Sequence, residues 1–462
     1  MREKIYIVLL GLSIFLCKPE TIIAQDTLKI GLQDFINLAI KKSGQVKYAQ
    51  TDVDLAYNRI DALKAQRILP GLNFSSDFGL VPGVTSPNNL PDNQIYLDPD
   101  ARNDWSNFGI FTRARINAVQ PLFNWGAIRK AIQAAEIGAK AAEQGFLAEQ
   151  ANVEIQLFDL YYSYVLALEI EQLLFEAEDK IGKISRGIQK AYDEGDENLE
   201  DADVFKFEIF ESQFESQKIE VLQSLLFIRN IWEYAVGRDT DAVYMPVDTE
   251  LIELDINLDD VGYYTNTALT QRPEIKGLEA GEKALSVYMK SLRAQNMPGL
   301  FLGATTTFAS TPIRPRQPNP FINSPGNTFN TILGFSIRQP LNFSSINSSI
   351  KRSKIEIKRV SYMKDAARDG IMLEVSTAFM NASISQSKVE TTNDALTTAK
   401  EWLGLEQADN SLGLGDTKNL IEALRTELEL KFTLKENVFE HNSNVAKLYR
   451  ATGLPIFNLS NN

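Results

Sequence analysis

The sequence predicts a mainly α-helical fold interrupted by membrane-spanning β-strands. Three observations carry this: an export leader, an internal repeat, and short alternating segments beside paired prolines. Arg2 and Lys4 precede an apolar run from Ile5 to Leu16, shorter than the ~20 residues of a spanning helix, and Ala24 follows it. Residues 1–24 therefore read as a secretory signal, with the mature chain expected to start at Gln25 or Asp26. Cys17 is the sole cysteine, and Ile14, Phe15 and Leu16 lack the small residue that precedes a lipidated cysteine, so Cys17 is expected to leave with the signal. No later stretch reaches ~18 consecutive apolar residues, so a membrane location would require strands.

The totals narrow the function classes. A net charge of -13 over 462 residues argues against nucleic acid or anionic lipid as a partner. The only histidine is His441, and the expected mature chain has no cysteine, which removes Cys-His nucleophiles and His-rich metal sets. No catalytic residue, metal ligand or cofactor is expected, and the many carboxylates read as solvated helix faces.

The chain says nearly everything twice, at an offset of about 220 residues. Asn37-Leu38-Ala39-Ile40 is answered by Asn266-Thr267-Ala268-Leu269, each opening a long helix. Leu69-Pro70-Gly71-Leu72 is answered by Met297-Pro298-Gly299-Leu300, where proline stops a helix and a strand begins. Gln120-Pro121-Leu122 is answered by Gln339-Pro340-Leu341, where strand gives way to helix. Gly195 is answered by Gly413 inside polar breaks, and Gly237 and Gly453 close the halves. The expected division is 25–240 for the first repeat, 241–258 for a linker around the waist, 259–456 for the second repeat and 457–462 for a tail.

In order, the first repeat reads as a helix over 32–68, two strands, a helix over 126–191 and a helix over 203–236. Phe74, Phe78 and Leu80 alternate with Asn73, Ser75 and Asp77; Phe108, Ile110, Ala114 and Ile116 alternate with Arg113, Arg115 and Asn117. The second repeat has helices over 260–296, 345–408 and 420–451. Its strands place Leu300, Leu302, Ala304 and Phe308 against Gly303, Thr305 and Thr307, then Leu333, Phe335 and Ile337 against Gly334, Ser336 and Arg338. Each strand is expected to run about 10 to 12 residues, enough to cross a bilayer when tilted. Residues 81–106 and 310–327, rich in Pro, Asn and Asp, read as exposed loops. Arg113, Arg115 and Arg338 fall on the wet faces and are expected to line a barrel lumen.

The helix over 126–191 would span ~100 Å at about 1.5 Å per residue. Within it Leu174, Ala177, Ile181, Ile184, Ile188 and Ala191 form a coiled-coil seam. The helices on either side are about half as long, so laid end to end they match it. Four strands do not close a membrane barrel, whose smallest form has about 8, so the chain is expected to oligomerise as two copies or as three or more.

These landmarks resemble the TolC family of outer-membrane efflux proteins over nearly the whole mature chain. The resemblance implies a homotrimer with a shared twelve-stranded barrel in outer-membrane lipid, continued by a tube of helices through the periplasm. It implies a passive exit duct joined to an inner-membrane transporter through a periplasmic adaptor. It places a gate at Asn419 and Glu422, of which only Glu422 keeps a carboxylate, and adaptor docking at Gly195, Asp201 and Gly413-Leu414-Gly415. Glycine at these turns also has a plain geometric reason. The tip around Gly195 is densely acidic, with Asp193, Glu194, Asp196, Glu197, Glu200, Asp201 and Asp203. The second copy departs from the pattern, because Asn342-Phe343-Ser344-Ser345 lacks the glycine kept in Asn124-Trp125-Gly126. Two rival classes remain: an exported coiled-coil scaffold with a soluble β cap, and an enzyme on a helical scaffold. The cargo stays open, and the scarcity of His, Cys and Met gives no support for dedicated metal export.

Overall fold

The computed structural model describes residues 26–88, 95, 98–195, 199–237, 242–316, 319, 321–322, 324–411 and 416–456. The first repeat contains β1 (Asp26–Ile30), α1 (Leu32–Lys42), α2 (Gly44–Ala65), β2 (Asn73–Thr85), β3 (Arg102–Phe123), α3 (Ala127–Glu194) and α4 (Asp201–Val236). The second contains β4 (Ala242–Pro246), α5 (Val261–Gln271), α6 (Pro273–Gln295), β5 (Gly299–Ser310), β6 (Thr328–Arg338), α7 (Phe343–Ser411) and α8 (Thr417–Thr452).

Each expected half-length opening helix is two helices, for a local reason. Ser43 leaves the helical region at φ -55 and ψ 119, and its Oγ accepts the Val46 N–H at 3.3 Å, so it ends α1 and caps α2. In the second copy Pro273 has no N–H to give a preceding turn and starts α6 instead. The long helices α3 and α7 have 68 and 69 residues, ~100 Å at about 1.5 Å per residue.

β2, β3, β5 and β6 form one antiparallel sheet in the order β2-β3-β5-β6, so the two repeats meet at β3 and β5. The strands are longer than expected in the first repeat, at 13 and 22 residues. They take up part of the expected loop at 81–106, including Pro82, and β3 carries on through Pro121 to Phe123 with a register shift between them. The strand-to-helix turn therefore falls at Asn124-Trp125-Gly126, starting three residues beyond Pro121, which is still in the strand. Below the sheet α2 packs on α3, α3 on α6 and α6 on α7, which repeats the strand order with α2 and α7 as the outer members. Further along, α4 packs on α3, α3 on α8 and α8 on α7.

The waist segment holds a strand that the alternation does not reveal. β4 pairs in parallel with β1, from Asp26 beside Ala242 to Ile30 beside Pro246. The rest of the segment is strapped down by side chains of the long helices. Glu169 accepts the Leu251 N–H at 2.9 Å, while Asn442 accepts the Leu254 N–H at 2.9 Å and donates to the Ile252 carbonyl at 2.8 Å. Under this belt lies the main core, where the Phe35 and Trp232 rings stack at 4.0 Å beside Tyr161 and Tyr164, all four fully buried. A second core joins Leu174, Ala177, Ile181 and Ile188 of the predicted seam to Phe207, Phe214, Leu420 and Leu424.

Candidate functional site

The two faces of the sheet separate by chemistry in the register that alternation predicts. Phe74 lies opposite Ile116 and Leu80 opposite Ile110; Leu302 lies opposite Phe335, Ala304 opposite Leu333 and Phe308 opposite Phe329. Phe74, Phe78, Leu80, Ile110, Leu333, Phe335 and Ile337 are all exposed. On the other face Arg113 lies opposite Asp77 and Arg115 opposite Ser75, and Thr305 Oγ1 donates to Asn117 Oδ1 at 3.0 Å. Arg113 sits over the Phe111 ring at 5.0 Å and Arg338 over the Phe301 ring at 5.1 Å, which holds two of the three arginines on the wet face. No helix is long and apolar enough to cross a membrane among the described residues.

The paired prolines stand beside clamps made by the glutamines next to them in sequence. The Gln120 side chain donates to the Arg67 carbonyl and accepts the Leu69 N–H, both at 2.7 Å, which closes the helix-to-strand turn at Pro70. Gln339 donates to the Asn296 carbonyl at 2.8 Å and closes the equivalent turn at Pro298. Leu69 and Trp125 carry positive φ at 44° and 53°, with Gly126 at 74°, whereas no residue from Gln339 to Ser345 does. The turn at Pro340 thus has no need of the glycine that the second copy lacks.

At the tip Gly195 ends α3 at φ 72°, its N–H directed to the Ala191 and Tyr192 carbonyls. A Cβ costs roughly 1–2 kcal/mol in this left-handed conformation. Asp201 lies exposed in the first turn of α4, where a negative charge suits the helix N-terminus. Gly413, Leu414 and Gly415 lie outside the described residues, as do Asp196 and Glu197. Asn419 and Glu422 are exposed one turn apart on α8, while Leu420, Ala423 and Leu424 turn into the core.

Two features of the tip coil are not evident in the sequence. Arg425 follows one turn after Glu422 and pairs with Glu429 at 2.7 Å; its pKa is raised by Glu429 first, with a contribution from Glu422. One turn nearer the core, Glu427 is 2% exposed and takes Lys431 at 2.7 Å and Lys180 of α3 at 3.2 Å. Burial alone would raise the Glu427 pKa, but the hydrogen bond and charge of Lys431 and the charge of Lys180 outweigh it and the pKa falls. The spacing of Lys431 from Glu427, four residues, is the only sequence signal of this lock.

No protein-family model matches the sequence, and no curated protein matches it. Solved structures do match. The chain superposes on the CmeC outer membrane channel of Campylobacter jejuni with a TM-score of 0.67 and 16% identity, over 91% of this chain and 85% of that one. The open-state MtrE outer membrane channel of Neisseria gonorrhoeae gives 0.68 and 14%, over 92% and 89%. CusC, described in connection with transmembrane channel formation, gives 0.69 and 16%, over 93% of each chain. The fold is that of the TolC-like outer-membrane channels. Within this channel fold the sheet is the end with an apolar exposed face, and the end of α3 at Gly195 with the start of α4 is the far tip.

Proposed function

We propose that three copies of this chain close a twelve-stranded barrel in outer-membrane lipid and form a passive exit duct through the periplasm. The observation that carries the proposal is a sheet bare on its apolar face and, among the described residues, unpaired at both edges, β2 and β6. Unpaired backbone groups in lipid cost several kcal/mol each, so such a sheet needs neighbours on both sides. The helices below share the need, since α2 and α7 stand at the outer ends of their row as β2 and β6 do. Copies that pair β6 with the next β2 also bring α7 beside the next α2, a heterologous contact that closes into a ring.

The tip end of the duct would meet a periplasmic adaptor at Gly195, Asp201 and the Gly413-Leu414-Gly415 turn, and through it an inner-membrane transporter. Three Glu422 side chains, with Asn419 toward the tip, would form a carboxylate ring that restricts passage and favours cations. The buried Glu427 lock between α3 and α8 would hold that ring in place. Reconstituted in planar bilayers, the protein is expected to form a cation-preferring channel whose conductance rises and whose cation preference falls in Glu422→Ala. Unchanged conductance and selectivity would remove the gate; the absence of any channel would remove the duct.

A further inference from the structure

Neighbouring residues on β5 differ sharply in exposure: Phe308 is 47% exposed and Ala309 3%. Phe308 lies opposite Ala114 on the apolar face, and Ala309 opposite Arg113 on the wet face. At this end of the sheet, farthest from the helices, the wet face is covered while the apolar face is bare. The cover is the segment that follows β5.

The described ends of that segment, residues 311–316 and 324–327, are joined to each other and fastened to the first strand pair. Thr311, 1% exposed, donates its N–H to Asn327 Oδ1 at 2.7 Å and its Oγ to the Gly326 carbonyl at 2.8 Å. Asn327 Nδ2 returns a hydrogen bond to the Arg314 carbonyl at 3.0 Å. Arg314 reaches across to the other repeat, donating Nε to the Pro82 carbonyl at 3.0 Å and Nη2 to Asn103 Oδ1 at 3.2 Å. Pro82 stands where the β2–β3 register shifts, so its carbonyl is at the break in the ladder.

Ile313 supplies the apolar half of the fastening. A Cβ on Gly109 would fall 2.7 Å from Ile313 Cβ and closer still to its Cγ2, and a Cβ on Gly83 would lie 3.6 Å from Ile313 Cγ1 and Cδ1. Gly109 belongs to the same alternating set as Phe111, Arg113 and Arg115. The isoleucine therefore sits in a notch on the wet face that only a residue without a side chain leaves open. A loop lying at random over a polar surface would have no such seat.

We propose that residues 311–316 and 324–327, held by these contacts, form a fixed collar in the outer mouth of the duct and set the size of solute that can leave. The inference rests on the reading of the wet face as the lumen of a three-copy barrel, which brings three Ile313-Arg314 pairs toward one axis. A barrel of about 8 strands is filled by its own side chains and one of about 16 leaves an open channel, so at twelve an inward segment from each copy decides the free width. Phe111 and Arg113 lie directly inward of the notch, which makes the collar cationic on its inner side.

The test uses the full-length oligomer in planar bilayers, with neutral polyethylene glycols of graded size added to the side facing the sheet end. Gly109→Val pushes Ile313 out of its notch, and the double change Ile313→Ser with Arg314→Ser removes both fastenings without touching a strand. In the double variant the polymer cut-off measured from the sheet side is expected to shift to larger polymers, and in Gly109→Val, which drives the segment off the wall toward the axis, to smaller ones, while the cut-off from the tip side stays at the wild-type size in both. The double variant decides the matter where Gly109→Val does not assemble. A wild-type channel whose sheet-side cut-off is the same in the variants overturns the collar and leaves the duct standing. No channel from the wild-type protein overturns both.

Discussion

Aromatic residues at the waist and on the sheet have opposite fates. Phe35 and Trp232 are 0% exposed beneath the belt, whereas Phe78 and Phe335 are 73% and 74% exposed on the sheet. The waist completes its core within one chain, drawing α1, α3, α4 and the Asp26–Ile30 strand around the same rings. The sheet leaves its apolar face and its edge strands β2 and β6 uncovered within the chain, and in the proposed duct further strands and lipid would cover them. One chain thus contains a part whose core is buried within it and a part that the proposed assembly would cover, and changes in the two should be separable.

The largest effect is expected at the waist. Trp232→Ala removes a fully buried indole and should cost about 3–5 kcal/mol, read as a lower denaturation midpoint by far-UV circular dichroism. Trp232→Phe should cost far less, because Nε1 of the buried indole has no hydrogen-bond partner among the described residues to lose. Equal losses for the two variants would show that the waist is not the independent core.

Next comes the sheet. Phe78→Arg places a charge on the apolar face and should cost roughly 2–4 kcal/mol per chain near the middle of a bilayer. The loss should appear as failed membrane assembly, with the helical melting of the unassembled chain unchanged. A variant that assembles normally would mean that this face does not meet lipid.

The smallest effect sharpens the waist itself. Burial works to raise the Glu274 pKa, but hydrogen bonding and charge from Arg272, with Arg450 adding to them, bring it down to about 2. A depressed carboxylate stabilises the fold above its unfolded value of ~4.3, and that contribution disappears as pH falls toward the folded value. On the order of 1–3 kcal/mol should be lost over that window, allowing for partial exposure, and Glu274→Gln should flatten the profile. A wild-type profile already flat there would show that the network contributes nothing.

Much of the architecture is legible because it is periodic. The strand faces and the Leu174–Ile188 seam follow from side chains that repeat every two residues or at 3,4 spacing, and the four paired prolines from the repeat of the whole chain at about 220 residues. The Asp26–Ile30 strand is not legible, because a five-residue parallel pair across more than two hundred residues leaves no local pattern. The Gln120 and Gln339 clamps were visible as repeated letters, but their reach back to Arg67 and Asn296 depends on tertiary placement. At the tip the positions of Asn419 and Glu422 came from family resemblance, whereas the Lys180–Glu427 lock joins helices that only the fold brings together. The Ile313 notch is hidden for the same reason, since Gly83 and Gly109 look like ordinary strand glycines until the segment after β5 is seen to cover them.

The central claim is that the exposed sheet belongs to a closed ring of chains in a membrane. Its most direct test is the mass of the detergent-extracted particle, corrected for bound detergent. The account predicts three chains per particle, recovered from the membrane fraction and separated into single chains by heating. A single chain recovered from the soluble fraction without detergent would contradict it.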